Sequence, residues 1–215
     1  MRKNIIYSLL LVVAALFAGC ESRLDIAKHG NMGDQNDFYQ TDEQTEQAVA
    51  SMYSSLKGLY YNWFFTKNLL SDDVWCGGAQ RGDNTSLEQL NEYTYGTDNG
   101  IIQGVFSGLY GLIYQSNLVI EKVADDTPAK KRAIAEAKFF RAWANFELVT
   151  LWGTAPLVDH LLEPGEYRQG NSTPEALWAA VESDLNDAIG MNALPSKKNK
   201  DDQETGMRVT QEVAK

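Results

Sequence analysis

The segment that most constrains the fold runs from Ala135 to Val158 and reads AEAKFFRAWANFELVTLWGTAPLV. Its first part has helical periodicity, and Gly153 and Pro156 then end the helix before an apolar exit. Two groups of apolar residues lie on nearly opposite sides of this helix: Ala133, Ala137, Phe140, Ala144, Leu148 and Leu151 on one side, Phe139, Trp143 and Phe146 on the other. A helix that is apolar on two sides packs between other helices, so this segment predicts a stack of helices.

Three further stretches have the spacing of amphipathic helices. The first begins at a cap provided by Thr41 or Asp42, the second covers residues 102–123, and the third opens with Thr173 as cap and Pro174 in the first turn. The apolar face of the first comprises Ala48, Val49, Met52, Tyr53, Leu56, Leu59 and Tyr60. Together these patterns predict an all-α fold of stacked helix pairs, joined by long irregular loops.

The amino terminus has the pattern of an export signal. A basic pair precedes an apolar run, residues 5–17, which closes on Ala18 and Gly19 directly before Cys20. The run is short for a membrane-spanning helix, and its small closing residues favour a cleaved signal. The last positions resemble the lipobox of bacterial lipoproteins, in which the cysteine is acylated, although an ordinary signal peptide has a similar pattern. We therefore expect a lipoprotein signal peptide over residues 1–19 and a lipidated Cys20 followed by a flexible tether over residues 20–41.

The formal net charge of −10 excludes one class of partner. Nucleic-acid binding relies on clustered lysines and arginines that displace counterions from phosphates, and here acidic residues are spread along the chain. A neutral ligand suits this surface better. With Cys20 acylated, Cys76 is the only thiol left, so no internal disulfide is expected and the thiol is expected to be inert.

Three parts of the chain resemble the SusD/RagB family of starch-binding-type outer-membrane lipoproteins. They are the start that ends at Cys20, the helix TDEQTEQAVASMYSSLKGLY, and EAKFFRAWANFELVTLWGTAPLV from Glu136 to Val158. The resemblance covers the amino-terminal half of the family. It implies tetratricopeptide-like helix pairs in a lipid-anchored protein on the cell exterior, which binds oligosaccharides or related nutrients and delivers them to a SusC-like TonB-dependent transporter. It implies no covalent chemistry and no cofactor.

In this family the loops after the early helices form part of the ligand surface, and here that place is the stretch from Ser71 to Asn99. A tryptophan ring offers a flat face to the C–H side of a sugar, and neighbouring Asp, Asn and Arg side chains supply directional hydrogen bonds to hydroxyls. The alternative for Trp75 is a ring that pins the loop onto the helices. The candidate ligand residues are Asp72, Asp73, Trp75, Arg81, Asn84 and Tyr95.

The other carboxylate, imidazole, guanidinium and indole side chains considered as site residues have simpler interpretations. Adjacent Asp72 and Asp73 are poorly placed to face each other across a glycosidic bond, and a turn or cap explains them better. His29 and His160 have no metal-ligand spacing around them, so no metal site is expected. We expect Arg141 to bridge a carboxylate or loop carbonyls. The tryptophans expected to pack in the core are Trp143, Trp152 and Trp178.

Two further expectations concern organisation. A helical domain is expected over residues 42–195, followed over residues 196–215 by a charged loop and the start of another helix capped by Thr210, so we expect the chain to be the front part of a longer protein. A helical-repeat scaffold that binds proteins and no glycan is the alternative function. Exposure of the loop aromatics beside polar groups would favour glycan binding.

Overall fold

The computed structural model describes residues 38–197 and 206–215. The predicted signal peptide, Cys20, His29 and most of the predicted tether lie outside the described residues. Phe38 and Tyr39 already pack against the core, so ordered contacts begin slightly before the boundary expected at residue 41. Within the described ranges, no helix combines the length and apolar character that crossing a membrane requires.

The first helix, α1, covers Asp42–Leu69 and begins at a reciprocal cap. The hydroxyl of Thr41 accepts a hydrogen bond from the Gln44 backbone, and the Gln44 side chain accepts one from the Thr41 N–H. This pair satisfies two backbone donors that a helix start otherwise leaves without partners. The predicted apolar face is largely confirmed, since Met52 is fully buried, but Tyr60 was assigned to it wrongly because its ring is 58% exposed.

Two long helices pack on α1 and on each other. Helix α3 covers Gly100–Lys122, and α4 covers Pro128–Trp152 with Thr127 as its cap. Helices α1 and α3 approach closely, because a Cβ atom added to Gly108 would lie 2.8 Å from a methyl carbon of Leu59. Helix α4 also packs against α5, which covers Pro174–Gly190, so the central helix lies between others as its two apolar faces predict.

Arg141 of α4 is the centre of a buried polar cluster. Its guanidinium donates two hydrogen bonds of 2.7 Å to the carboxylate of Asp184 on α5. It also donates to the side chain of Asn117 on α3 and to the backbone carbonyl of Asp159. A planar guanidinium matches a carboxylate in this two-pronged way. The prediction that Arg141 bridges a carboxylate and a loop carbonyl is confirmed, and the bridge joins three helices to the loop after α4.

A second buried cluster surrounds Glu136, whose side chain is inaccessible to solvent. Arg132 binds one carboxylate oxygen, and Arg208 binds both, at 3.1 and 3.0 Å. The hydroxyl of Tyr53 donates to the same carboxylate and accepts from the backbone N–H of Val209. Burial, followed by the nearby Glu136 charge, raises the pKa of Tyr53 to about 12. This cluster ties the segment before the last described helix, α6, Gln211–Ala214, to the core.

Two sequence expectations need correction. The stretch from Ser71 to Asn99 is not wholly irregular, because α2 forms within it at Thr85–Asn91. Periodicity misses this helix because seven residues are too few to establish a face. Trp178 is not a core residue: its ring is 40% exposed and lies edge-on to Phe146. Trp143 and Trp152 do pack against the core, as expected.

Candidate functional site

Helix α2 anchors the segment between α1 and α3. Leu87 and Leu90 of α2 are buried and form a small apolar cluster with Leu69 at the end of α1. Cys76 packs against this cluster from the loop. Burial, and after it the charges of Glu88 and Glu92, raises the pKa of the Cys76 thiol, which keeps it protonated and unreactive. Trp75, the residue before Cys76, is by contrast largely exposed.

Side chains from α2 and its flanks hold the loop between α1 and α2. The carboxylate of Asp83 accepts hydrogen bonds from the backbone of Ala79 and Gln80, at 2.6 and 3.1 Å. Glu88 accepts from the N–H of Gly82, which has a φ of +92°. Gly82 adopts this left-handed conformation without the steric cost that a Cβ atom would bring. The loop therefore has a defined shape, although most of it is exposed.

Tyr93, just after α2, ties the other end of the loop. Its backbone φ of +55° is unusual for a residue with a bulky side chain. The hydroxyl reaches back to the carbonyl oxygen of Leu70 at 3.0 Å and to Asp72 at 3.4 Å. Local desolvation and the adjacent Asp72 charge raise the pKa of the Tyr93 phenol. A strained conformation of this kind persists only where its surroundings fix it, and such positions are concentrated at functional sites.

The loop and α2 line an open cleft of about 380 Å³. Trp75 forms one side, with its ring 77% exposed to solvent. Arg81 also lines the cleft and pairs with Glu92 at 2.8 Å, and Glu88 adds a second carboxylate. The remaining lining residues are Cys76, Gly77, Gly78 and Gln80. A flat apolar ring beside a guanidinium and carboxylates is an arrangement that can bind a sugar face and its hydroxyls.

The structure separates the six predicted ligand residues into different roles. Trp75 and Arg81 line the cleft. Asp72 accepts from Tyr93, and the backbone N–H of Asp73 contacts the hydroxyl of Ser71 in a turn. The last two take other positions: Asn84 is the cap of α2, and Tyr95 lines a separate, mainly apolar cavity of about 370 Å³ that includes Trp152.

Three residues that shape the cleft were not predicted from the sequence. Glu88 on α2 and Glu92, the residue that caps its carboxyl end, lie four positions apart, the spacing of one helical face, and this signal was available had α2 been predicted. Asn91 bonds the loop on either side of Trp75. Its role depends on contacts across 15 and 17 residues, and no local pattern indicates such contacts.

Asp72, Asp73 and His160 do not line the cleft. The Asp72 carboxylate accepts a hydrogen bond from Tyr93, and the backbone N–H of Asp73 contacts the hydroxyl of Ser71. His160 lies in the loop after α4, where Asp159 and Glu166 bind its two ring nitrogens at 2.8 and 3.2 Å. In the part of the chain that the structure describes, no group of His, Cys, Asp and Glu residues is arranged to hold a metal ion.

Comparisons with known proteins identify the fold. The SusD-like family model described as "starch-binding associating with outer membrane" matches residues 30–214. The chain belongs to this SusD-like family. A SusD-like protein from Bacteroides ovatus is 32% identical over 166 residues, which cover 71% of this chain and 29% of the relative. Across four curated SusD-like relatives, the matched part spans only 29% to 36% of their length.

Solved structures of SusD-like proteins superpose on the same helices. A laminarin-binding SusD-like protein is 26% identical and has a TM-score of 0.69, and the superposition covers 82% of this chain and 38% of that protein. A SusD superfamily protein from Bacteroides vulgatus is 24% identical and has a TM-score of 0.68, and the superposition covers 82% of this chain and 38% of that protein. At this identity the similarity concerns the fold alone. The all-α fold of stacked helix pairs is therefore confirmed.

Proposed function

We propose that this SusD-like chain binds oligosaccharides through the cleft beside Trp75. The observation that carries the proposal is the exposure of Trp75, 77%, on a loop whose backbone is fixed by side chains of and around α2. A large aromatic ring exposed on an ordered loop, beside charged side chains, offers a flat apolar contact surface to a ligand. The alternative, that the ring pins the loop onto the helices, does not fit this exposure.

The chemistry of the cleft suits a sugar. The apolar ring of Trp75 can cover the C–H face of a pyranose, while Arg81 donates and Glu88 and Glu92 accept hydrogen bonds with hydroxyls at its edge. Because the loop is already ordered, little conformational entropy is lost when a ligand binds. Binding by noncovalent contacts, with no reaction and no cofactor, is the role we assign to the cleft.

The wider role follows from family membership. We infer that the chain is anchored to the outer membrane by lipid on Cys20, faces the cell exterior, and delivers its ligand to a SusC-like TonB-dependent transporter. The lipobox-like sequence before Cys20 and the family's association with the outer membrane support this inference. Attachment through several acyl chains is firm, whereas one chain gives only marginal anchoring.

A second candidate function is a helical scaffold that binds another protein. A row of exposed or half-exposed aromatic side chains on α1, α4 and α5 favours it. Tyr60 lies against Phe64 with ring centroids 5.8 Å apart, and Phe146 lies against Trp178 at 5.7 Å. Lys67 lies over the ring of Phe146. Aromatic residues are enriched in protein interfaces, so this row is the surface that a protein partner would contact under the scaffold function.

Native affinity electrophoresis distinguishes the two functions. The purified chain and its Trp75→Ala variant are run through gels containing laminarin, soluble starch or other neutral polysaccharides. Trp178→Ala is a matched control, because it removes an exposed tryptophan outside the cleft. We expect one glycan to retard the chain and the control, with at least about tenfold weaker retardation of Trp75→Ala, equivalent to about 1.4 kcal/mol. Equal retardation of both variants would contradict the assignment to this cleft.

A further inference from the structure

Asn91, the last residue of α2, holds the loop backbone on both sides of Trp75. Its side-chain carbonyl accepts a hydrogen bond of 3.1 Å from the N–H of Cys76. Its side-chain NH₂ donates one of 3.0 Å to the carbonyl oxygen of Val74. From this arrangement we propose that Asn91 is the positioning residue that sets the orientation of the Trp75 ring for ligand binding. The inference rests on the proposed glycan-binding function.

The loop needs such a support because its own contacts do not fix the ring. Trp75 is mostly exposed, and Gly77 and Gly78 follow two residues later. Two consecutive glycines give the backbone wide conformational freedom. A pair of hydrogen bonds to the peptide groups before and after Trp75 fixes the backbone there, and with it the direction of the Cα–Cβ bond of the tryptophan. The ring then retains only its own side-chain rotamers.

Asn91 is itself firmly placed. Leu87 and Leu90, on the preceding turn of α2, are buried against Leu69. Two residues beyond Asn91, Tyr93 is held in its left-handed conformation and bonds to the backbone of Leu70. The amide therefore projects from a short helix that is fixed at both ends. A positioning residue on such a support holds its target more closely than one on a free loop.

The chemistry of the pair requires a primary amide at this length. An aspartate keeps the acceptor for Cys76 N–H, but its carboxylate cannot donate to the Val74 carbonyl and repels it. An alanine removes both bonds. Neither change touches the lining of the cleft, since Asn91 is not among its wall residues. Loss of ligand affinity in these variants would therefore report the position of Trp75 and not a missing ligand contact.

The first arm of the test measures affinity. Asn91→Ala and Asn91→Asp are compared in the full chain with the unaltered protein, using gels that contain laminarin or soluble starch. Asn171→Ala is the matched control, because it removes an exposed asparagine whose side chain donates to the hydroxyl of Thr154, outside the cleft lining. We expect retardation by the bound glycan to weaken about tenfold in both Asn91 variants and to be unchanged in the control. Unchanged retardation of both Asn91 variants would overturn the proposal.

The second arm needs no ligand and separates this inference from the proposed function. The chain is labelled with 5-fluorotryptophan, and the Trp75 resonance is assigned as the one lost in Trp75→Phe. We expect that resonance to shift or broaden in Asn91→Ala and Asn91→Asp while the four other tryptophans keep theirs, which also shows that the variants fold. An unperturbed Trp75 resonance would overturn the positioning role. Absence of glycan retardation with a perturbed resonance would contradict the proposed function alone.

Discussion

Replacing Glu136 by glutamine should destabilise the chain more than any single surface change. The Glu136 side chain is inaccessible to solvent and faces two guanidinium groups, of Arg132 and Arg208. Glutamine keeps the shape but removes the charge that both arginines share. Removing one partner of a buried ion pair costs about 3–5 kcal/mol, because the remaining charge is left without compensation. Arg132 and Arg208 keep 16% and 21% of their side-chain exposure, so water relieves part of the penalty and we expect about 3 kcal/mol.

Equilibrium unfolding in urea, followed by helix circular dichroism, measures this cost. A domain of this size loses about 2–4 °C of melting temperature per kcal/mol, so a parallel thermal scan should show a decrease of about 6–12 °C. Glu46→Gln is the matched control: Glu46 pairs with the same Arg208 at 2.8 Å, but its side chain is 42% exposed. An exposed pair contributes at most about 1 kcal/mol. Equal destabilisation by Glu136→Gln and Glu46→Gln would refute the account of the buried cluster.

Two further predictions concern the loop after α4 and its anchor. Arg141→Lys should lower the free energy of unfolding by about 2 kcal/mol or more, because a lysine cannot make the two-pronged contact with Asp184; a loss below about 0.5 kcal/mol in urea unfolding would contradict this. Hydrogen bonds to the carboxylates of Asp159 and then Glu166 raise the pKa of His160. The stabilisation that charged His160 gives the folded chain is therefore fully present below about pH 6.5, and it is lost as pH rises through the higher folded-state pKa. A histidine NMR titration with a midpoint at or below about 6.5 would refute that direction.

The helix caps were predictable because they are local. A threonine directly before an amphipathic stretch is enough to indicate a cap, and the predicted threonines Thr41, Thr173 and Thr210 all cap their helices. The central helix, α4, was equally predictable, since the spacing of its apolar residues indicates two apolar faces. Helix α2 was not, because seven residues with two buried leucines give no repeat to detect.

The candidate site was predicted by region and only partly by residue. The resemblance pointed to the stretch from Ser71 to Asn99, and Trp75 and Arg81 do share a cleft there. Tyr95 lies apart from them because the chain after α2 turns toward α3 and a different cavity. Contacts such as the bond from Arg208 to Glu136, 72 residues away, depend on how the helices stack. Residue types alone do not determine such pairs.

Oxidation of tryptophan with and without glycan tests the central claim most directly. The chain is treated with limiting N-bromosuccinimide, alone or with saturating laminarin or soluble starch, and the oxidised tryptophans are mapped by mass spectrometry. Trp75, at 77% exposure, should react first, and the bound glycan should protect it while leaving Trp178, at 40%, unprotected. Oxidation of Trp75 at the same rate in the presence of a glycan that the chain binds would show that the ligand contacts another surface.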